Sequence, residues 1–62
     1  MEIGYVLKNS KGKYVRPVKG NEAEWEEVHV IHKAYIFNSE VYATMIAGWK
    51  GFTMHEVQFL VT

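Results

Sequence analysis

Hydrophobic and polar positions in this chain alternate with a period of two near both ends and take a helical period only once, between residues 40 and 50. Ile3, Tyr5 and Leu7 alternate with Gly4, Val6 and Lys8, the pattern of a strand with one core face. After Asn9-Ser10-Lys11-Gly12, a run over residues 13–18 sets Lys13, Val15 and Pro17 against Tyr14, Arg16 and Val18. Asn and Ser favour the opening of a turn and Gly can take a positive φ near its end, so the two runs predict a hairpin. Pro17 has no amide hydrogen, which places the second strand at a sheet edge or ends it there.

Residues 19–24, KGNEAE, read as a loop. Residues 25–37, WEEVHVIHKAYIF, are rich in Val, Ile, Tyr and Phe and predict a long third strand. Val28, Val30, His32, Ala34 and Ile36 would share one of its faces, and His29, Ile31, Lys33, Tyr35 and Phe37 the other. Both faces are half apolar, which suits a central strand or one that crosses into an interface. Asn38 or Ser39 then caps a helix, with Glu40 at the positive end of its dipole. Val41, Met45 and Trp49 recur at i, i+4 and i+8 with Tyr42 and Ile46 beside them, an apolar face expected to lie on the sheet. Lys50 and Gly51 suit the end of the helix. Gly48 costs about 1 kcal/mol against alanine in the last turn and invites either a close contact or an early stop. In residues 53–62, His55, Val57, Phe59 and Val61 alternate with Met54, Glu56, Gln58 and Leu60, the closing strand.

These elements predict a single α+β domain over residues 1–62, a sheet of three to four strands with one helix on one face, in the order β-β-β-α-β. If the third and last strands are parallel neighbours, the helix is their right-handed crossover. No element is then left to cover the second face, which is expected to be polar or to bind a partner.

Composition adds a reason to expect association. A domain of 62 residues buries only about 60% of its unfolded surface, and 15% of this chain is aromatic. Some of those rings are expected to face a partner or a second copy, so a homodimer is anticipated. The absence of cysteine removes disulfides, thiolate chemistry and Cys-type zinc sites. No apolar run approaches the roughly 20 residues of a membrane span, and the first 15 residues lack the features of a signal peptide. The expected location is the cytoplasm, with no membrane partner.

The formal net charge is zero, but the charges are segregated. Lys8, Lys11, Lys13, Arg16 and Lys19 fall in a segment without acids, and Glu22, Glu24, Glu26 and Glu27 follow without a base. The two blocks either neutralise each other across a loop or form opposed binding patches. All seven acids are glutamate, which argues against the short carboxylate cages that hold magnesium or calcium.

Catalysis finds no workable constellation. His29 and His32 lie three apart, on opposite faces of a strand, and His55 has only Glu56 or Glu27 to join it. Ser10 and Ser39 are explained by the turn and the cap, and the glycines form no phosphate loop. An enzyme is not expected, and no cofactor or metal is implied.

The strings YVLKNSKGKYV, AYIFNSEVYATMIAG and GFTMHEVQFLV resemble small uncharacterised proteins encoded by phages and prophages of Gram-positive bacteria. Ala34, Phe37, Ser39, Gly51, Phe52, Glu56 and Val57 carry the match, while WEEVHVIH departs from it. The resemblance implies a phage-encoded accessory or inhibitor in the host cytoplasm and carries over no catalytic residue. The expected function is therefore a small protein-interaction module that binds a host protein. Its docking site is expected in the acidic segment of Glu22, Glu24, Trp25, Glu26 and Glu27, where Trp supplies hot-spot area. The alternative is a nucleic-acid-binding protein gripping phosphates with Lys8, Lys11, Lys13, Arg16 and Lys19 while Tyr14 stacks on bases. A chain with no excess of positive charge makes that the weaker choice.

Overall fold

The computed structural model describes residues 2–60. Four strands, β1 (Glu2–Lys8), β2 (Tyr14–Val18), β3 (Asn21–Val28) and β4 (Thr53–Phe59), form one antiparallel sheet in the order β3-β2-β1-β4. One helix, α1 (Glu40–Lys50), lies between β3 and β4 in the chain, so the architecture is the α+β order β-β-β-α-β. The expected continuation of the last strand through Val61 and Thr62 lies outside the described residues.

The β1-β2 hairpin follows the expected turn. Asn9 Oδ1 accepts from the Lys11 and Lys13 amides, both at 3.0 Å, and the Gly12 amide donates to the Asn9 carbonyl at 2.9 Å. The helix termini also follow the sequence. Ser39 Oγ accepts from the Tyr42 amide at 3.2 Å, and Gly51 takes the left-handed conformation at φ 74°.

The third strand is displaced from its expected position. Asn21-Glu22-Ala23-Glu24, read as loop, is strand, and β3 ends at Val28 rather than continuing to Phe37. Glutamate is a poor strand former, but here the charges compensate: Arg16 on β2 lies opposite Glu26 on β3, and their side chains meet at 2.7 Å. Nor are the third and last strands parallel neighbours. They occupy opposite edges of the sheet, and β4 runs antiparallel to β1.

The apolar run after β3 has a different task. A short 3-10 turn at Ile31–Lys33 leads into an extended segment, and Phe37 exchanges two backbone hydrogen bonds of 2.8 Å with Tyr5. β1 and β2 pair in register at Lys8 and Tyr14 and then splay apart, and this segment fills the opening between them. Pro17 fits for the same reason. Val15 turns its carbonyl away from β3 toward the Tyr35 amide (3.4 Å), so Pro17, two residues on, turns its missing donor to the same side, where β1 has already diverged.

The segment also joins the two faces of the sheet. On the helix side Phe37 is buried with Leu7, Val15, Ala43 and Ala47, and Tyr5, Trp25, Ile46, Phe52 and Met54 pack around them. On the second side Ala34 is buried with Val6 and Val28, flanked by Tyr14 and Val57. The second face is thus partly closed by residues that the sequence reading assigned to a strand, and it is not the open surface anticipated.

The orientation of α1 is the largest departure. Ala43 and Ala47 are its buried residues; of the face expected on the sheet, Ile46 packs against the core, whereas Val41, Tyr42, Met45 and Trp49 are exposed. The small alanines let the helix sit close to β1 and β4.

Candidate functional site

Helix α1 packs over β1 and β4, so the β2-β3 half of the same sheet face is left without a helix. What remains there is a groove of about 430 Å³. Its lining combines Pro17 from β2, Glu22, Ala23 and Trp25 from β3, Tyr35 and Phe37 from the inserted segment, and Tyr42, Ile46 and Trp49 from α1.

The aromatic residues in this region are held by one another. Trp25 stacks on Phe37 at 6.1 Å with 13° between planes, and meets Tyr35 and Phe52 edge-on at 6.2 and 5.9 Å. Phe37 is in edge contact with Tyr35 at 4.7 Å and with Tyr42 at 5.6 Å. Such a network fixes ring orientation, so the groove is preorganised rather than collapsed. Lys50 ties the end of α1 to β3, its ammonium donating to the Ala23 carbonyl while lying 4.3 Å from the centre of the Trp49 ring. Trp25 contributes one further feature: its indole N–H is buried and has no acceptor among the described residues. An unused buried donor costs about 1–3 kcal/mol.

The five residues of the acidic segment are not brought into one patch. Glu22 and Trp25 line the groove. Glu26 pairs with Arg16 at 2.7 Å, and Glu27 accepts from Asn9 Nδ2 at 2.8 Å with the Lys11 ammonium 3.8 Å away. Glu24 is exposed on the edge strand β3. The basic hairpin is partly consumed in the same way. Besides Arg16 and Lys11, the Lys8 ammonium sits 4.8 Å from the centre of the Tyr14 ring, while Lys13 and Lys19 are exposed. The two charge blocks therefore meet across the β2-β3 pair, in solvent-accessible contacts each worth about 0–1 kcal/mol.

Among the residues considered for chemistry, His29 and His32 are exposed, and His55 lies 3.0 Å from Thr53 Oγ1. No group of three or more His, Cys, Asp or Glu that could hold a metal ion occurs among the described residues, nor does a helix long and apolar enough to cross a membrane. Among the described residues, Tyr5 is the titrating group that the fold perturbs. Loss of solvent around its phenol comes first, then the charge and hydrogen bond of Glu40 (3.3 Å) and the charge of Glu56, and together they raise it above the ordinary 10.0.

The sequence reading named Trp25 and Glu22 but missed Pro17, Tyr35, Tyr42 and Trp49 as their companions. The available signal was the excess of aromatic residues over core volume. What hid the grouping was the assignment of residues 25–37 to one continuous strand. Fold and groove together define a small α+β domain with an open aromatic cleft. The chain matches no family model, no curated protein and no solved structure.

Proposed function

We propose that the chain is a protein-interaction module and that its groove receives an extended, proline-containing segment of another protein that carries a Lys or Arg. The observation that carries this reading is the composition of the groove: Pro17, Trp25, Tyr35, Tyr42 and Trp49 line it, with the acidic Glu22 among the lining residues. Aromatic-lined grooves favour the polyproline II conformation because that chain is already extended and loses little entropy on docking. A carboxylate beside the rings selects a cationic residue by charge and by cation–π attraction. The resemblance to phage and prophage proteins makes the docked protein one of the host's, with the chain acting as an accessory or inhibitor.

Amide chemical-shift mapping with synthetic proline-containing peptides tests the reading. Peptides carrying Lys or Arg are expected to perturb Trp25, Tyr35, Tyr42 and Trp49, including both indole N–H signals. Perturbations confined to the hairpin lysines, or none with any peptide, would overturn it. Nucleic-acid binding remains the second reading only for Lys13 and Lys19, because Lys8, Lys11 and Arg16 already have ring or carboxylate partners.

A further inference from the structure

A second cavity, of about 460 Å³, shares Tyr35, Phe37 and Tyr42 with the groove. Phe37 is buried, whereas Tyr35 is 45% exposed and Tyr42 49%, and both of their rings stand edge-on to it. The two tyrosines form a saddle seated on Phe37, with one cavity on either side. Beyond the saddle the second cavity is lined by Glu2 and Ile3 at the start of β1, Ile36 from the inserted segment and Phe59 at the end of β4. Ile3, Ile36 and Phe59 are all exposed. Each lining includes one glutamate, Glu22 in the groove and Glu2 in the second cavity. Lys50 borders the groove at Ala23 and Trp49, and no lysine or arginine lines the second cavity.

We propose, on the reading that the groove receives a basic, proline-containing segment, that the same segment continues over the Tyr35–Tyr42 saddle and places a second Lys or Arg in the second cavity, four or five positions from the first. Continuity selects one segment for both cavities, because a chain leaving the groove past these tyrosines enters the space lined by Ile3, Ile36 and Phe59. The half-exposed tyrosine rings suit the prolines between the two anchors, since aromatic surfaces accept the polyproline II conformation. The lining selects the second residue. A long basic side chain lays an apolar stem along apolar surface and keeps a charged head for an acid, and the cavity offers Ile3, Ile36 and Phe59 together with Glu2. An acidic side chain would be repelled there, and a purely apolar one would make no use of Glu2.

The spacing comes from the fold. The Tyr35 amide meets the Val15 carbonyl and Phe37 pairs with Tyr5, so the inserted segment runs between β2 and β1. Across this end of the sheet the order is therefore β3, β2, inserted segment, β1 and β4. Glu22 on β3 and Glu2 on β1 are three intervals apart, which at about 4.8 Å per interval is about 14 Å. A polyproline II chain advances about 3.1 Å per residue and covers that distance in four or five residues.

Three kinds of proline-containing peptide test the proposal: one with a single Lys, one with two adjacent Lys, and a pair with Lys residues four or five positions apart. Tryptophan emission reports affinity at the groove, which both tryptophans line, and amide and methyl chemical shifts locate the second contact. One of the spaced peptides is expected to bind the parent about fivefold more tightly than the adjacent peptide of equal charge, the upper range of an exposed ion pair, and to perturb Ile3, Ile36 and Phe59. Glu2→Gln is expected to bring the spaced peptide down to the affinity of the adjacent one while keeping the circular dichroism spectrum of the parent. Equal affinities for spaced and adjacent peptides, with shifts confined to the groove, would overturn the proposal and leave the groove reading standing. A spaced-peptide advantage that survives in Glu2→Gln would also overturn it. Failure of every peptide, the single-Lys one included, to change tryptophan emission would remove the groove reading and this extension together.

Discussion

Replacing Gly4 by alanine puts the packing of the inserted segment under direct test. The added Cβ would lie 2.6 Å from Ile36 Cγ2, 3.0 Å from Phe59 Cε1 and 3.2 Å from the Phe37 carbonyl oxygen. Favourable carbon contacts lie at roughly 3.5–4.0 Å, so the first overlap is close to 1 Å. Ile36 and Phe59 are partly exposed and can yield, but the Phe37 oxygen cannot move without loosening its 2.8 Å hydrogen bond from the Tyr5 amide. Overpacking of this kind costs about 1–3 kcal/mol, and the lower chain entropy of alanine returns about 0.4–1 kcal/mol. The net expectation is a loss of about 1–2 kcal/mol. For a domain of this size that lowers Tm by roughly 5–15 °C. Urea unfolding followed by circular dichroism, at one fixed protein concentration, should show a lower midpoint with an unchanged slope. Adding Ile36→Ala to Gly4→Ala should recover part of the loss, because it removes the nearest clash. A Gly4→Ala protein as stable as the parent would refute the placement of Ile36 and Phe37 against β1.

Three further outcomes follow from named contacts. Ser39→Ala removes the acceptor for the Tyr42 amide and should cost about 1 kcal/mol, with Ser39→Asp retaining most of the stability; chemical denaturation checks both. Because Tyr5 keeps its proton in the folded state above the pH at which the unfolded chain releases it, its share of stability is complete below pH 10.0 and is lost as pH rises through the raised folded value. Tyr5→Phe should flatten the alkaline limb of the stability profile, and ultraviolet difference titration should find a late-ionising tyrosine that Tyr5→Phe removes. Gly48→Ala should stabilise the chain by about 1 kcal/mol through helix propensity, since a Cβ added there meets nothing within 4 Å; chemical denaturation checks it.

Much of the fold is legible in the sequence because local signals agree with one another. The turn at Asn9 and Gly12, the cap at Ser39 and the stop at Gly51 each rest on a residue whose side chain or backbone is suited to that one position, and all three occur where the sequence puts them. The misplaced third strand shows the limit of such reasoning. Strand propensity favours residues 25–37 over Asn21–Val28, but β3 is held by its pairing with β2 and by the Arg16–Glu26 contact across it, a non-local term that propensity omits. The facing of α1 was misread for a related reason. An apolar stripe says that a surface will be buried, but not against what, and here the nearest sheet accepts the small Ala43 and Ala47 instead. The groove itself depends on how far the helix reaches across the sheet, which no periodicity encodes.

The central claim, that the groove recognises a cationic, proline-containing segment, has a built-in reporter. The two tryptophans of the chain, Trp25 and Trp49, both line the groove. Tryptophan emission is therefore to be followed while paired peptides, alike except for Lys or Glu at one position, are titrated into the parent and into Glu22→Lys. The account predicts a saturable spectral shift with the Lys peptide, weakened at least about tenfold by Glu22→Lys, and a reversed preference when the Glu peptide meets the variant. Equal responses to the two peptides, or no response from either, would contradict it.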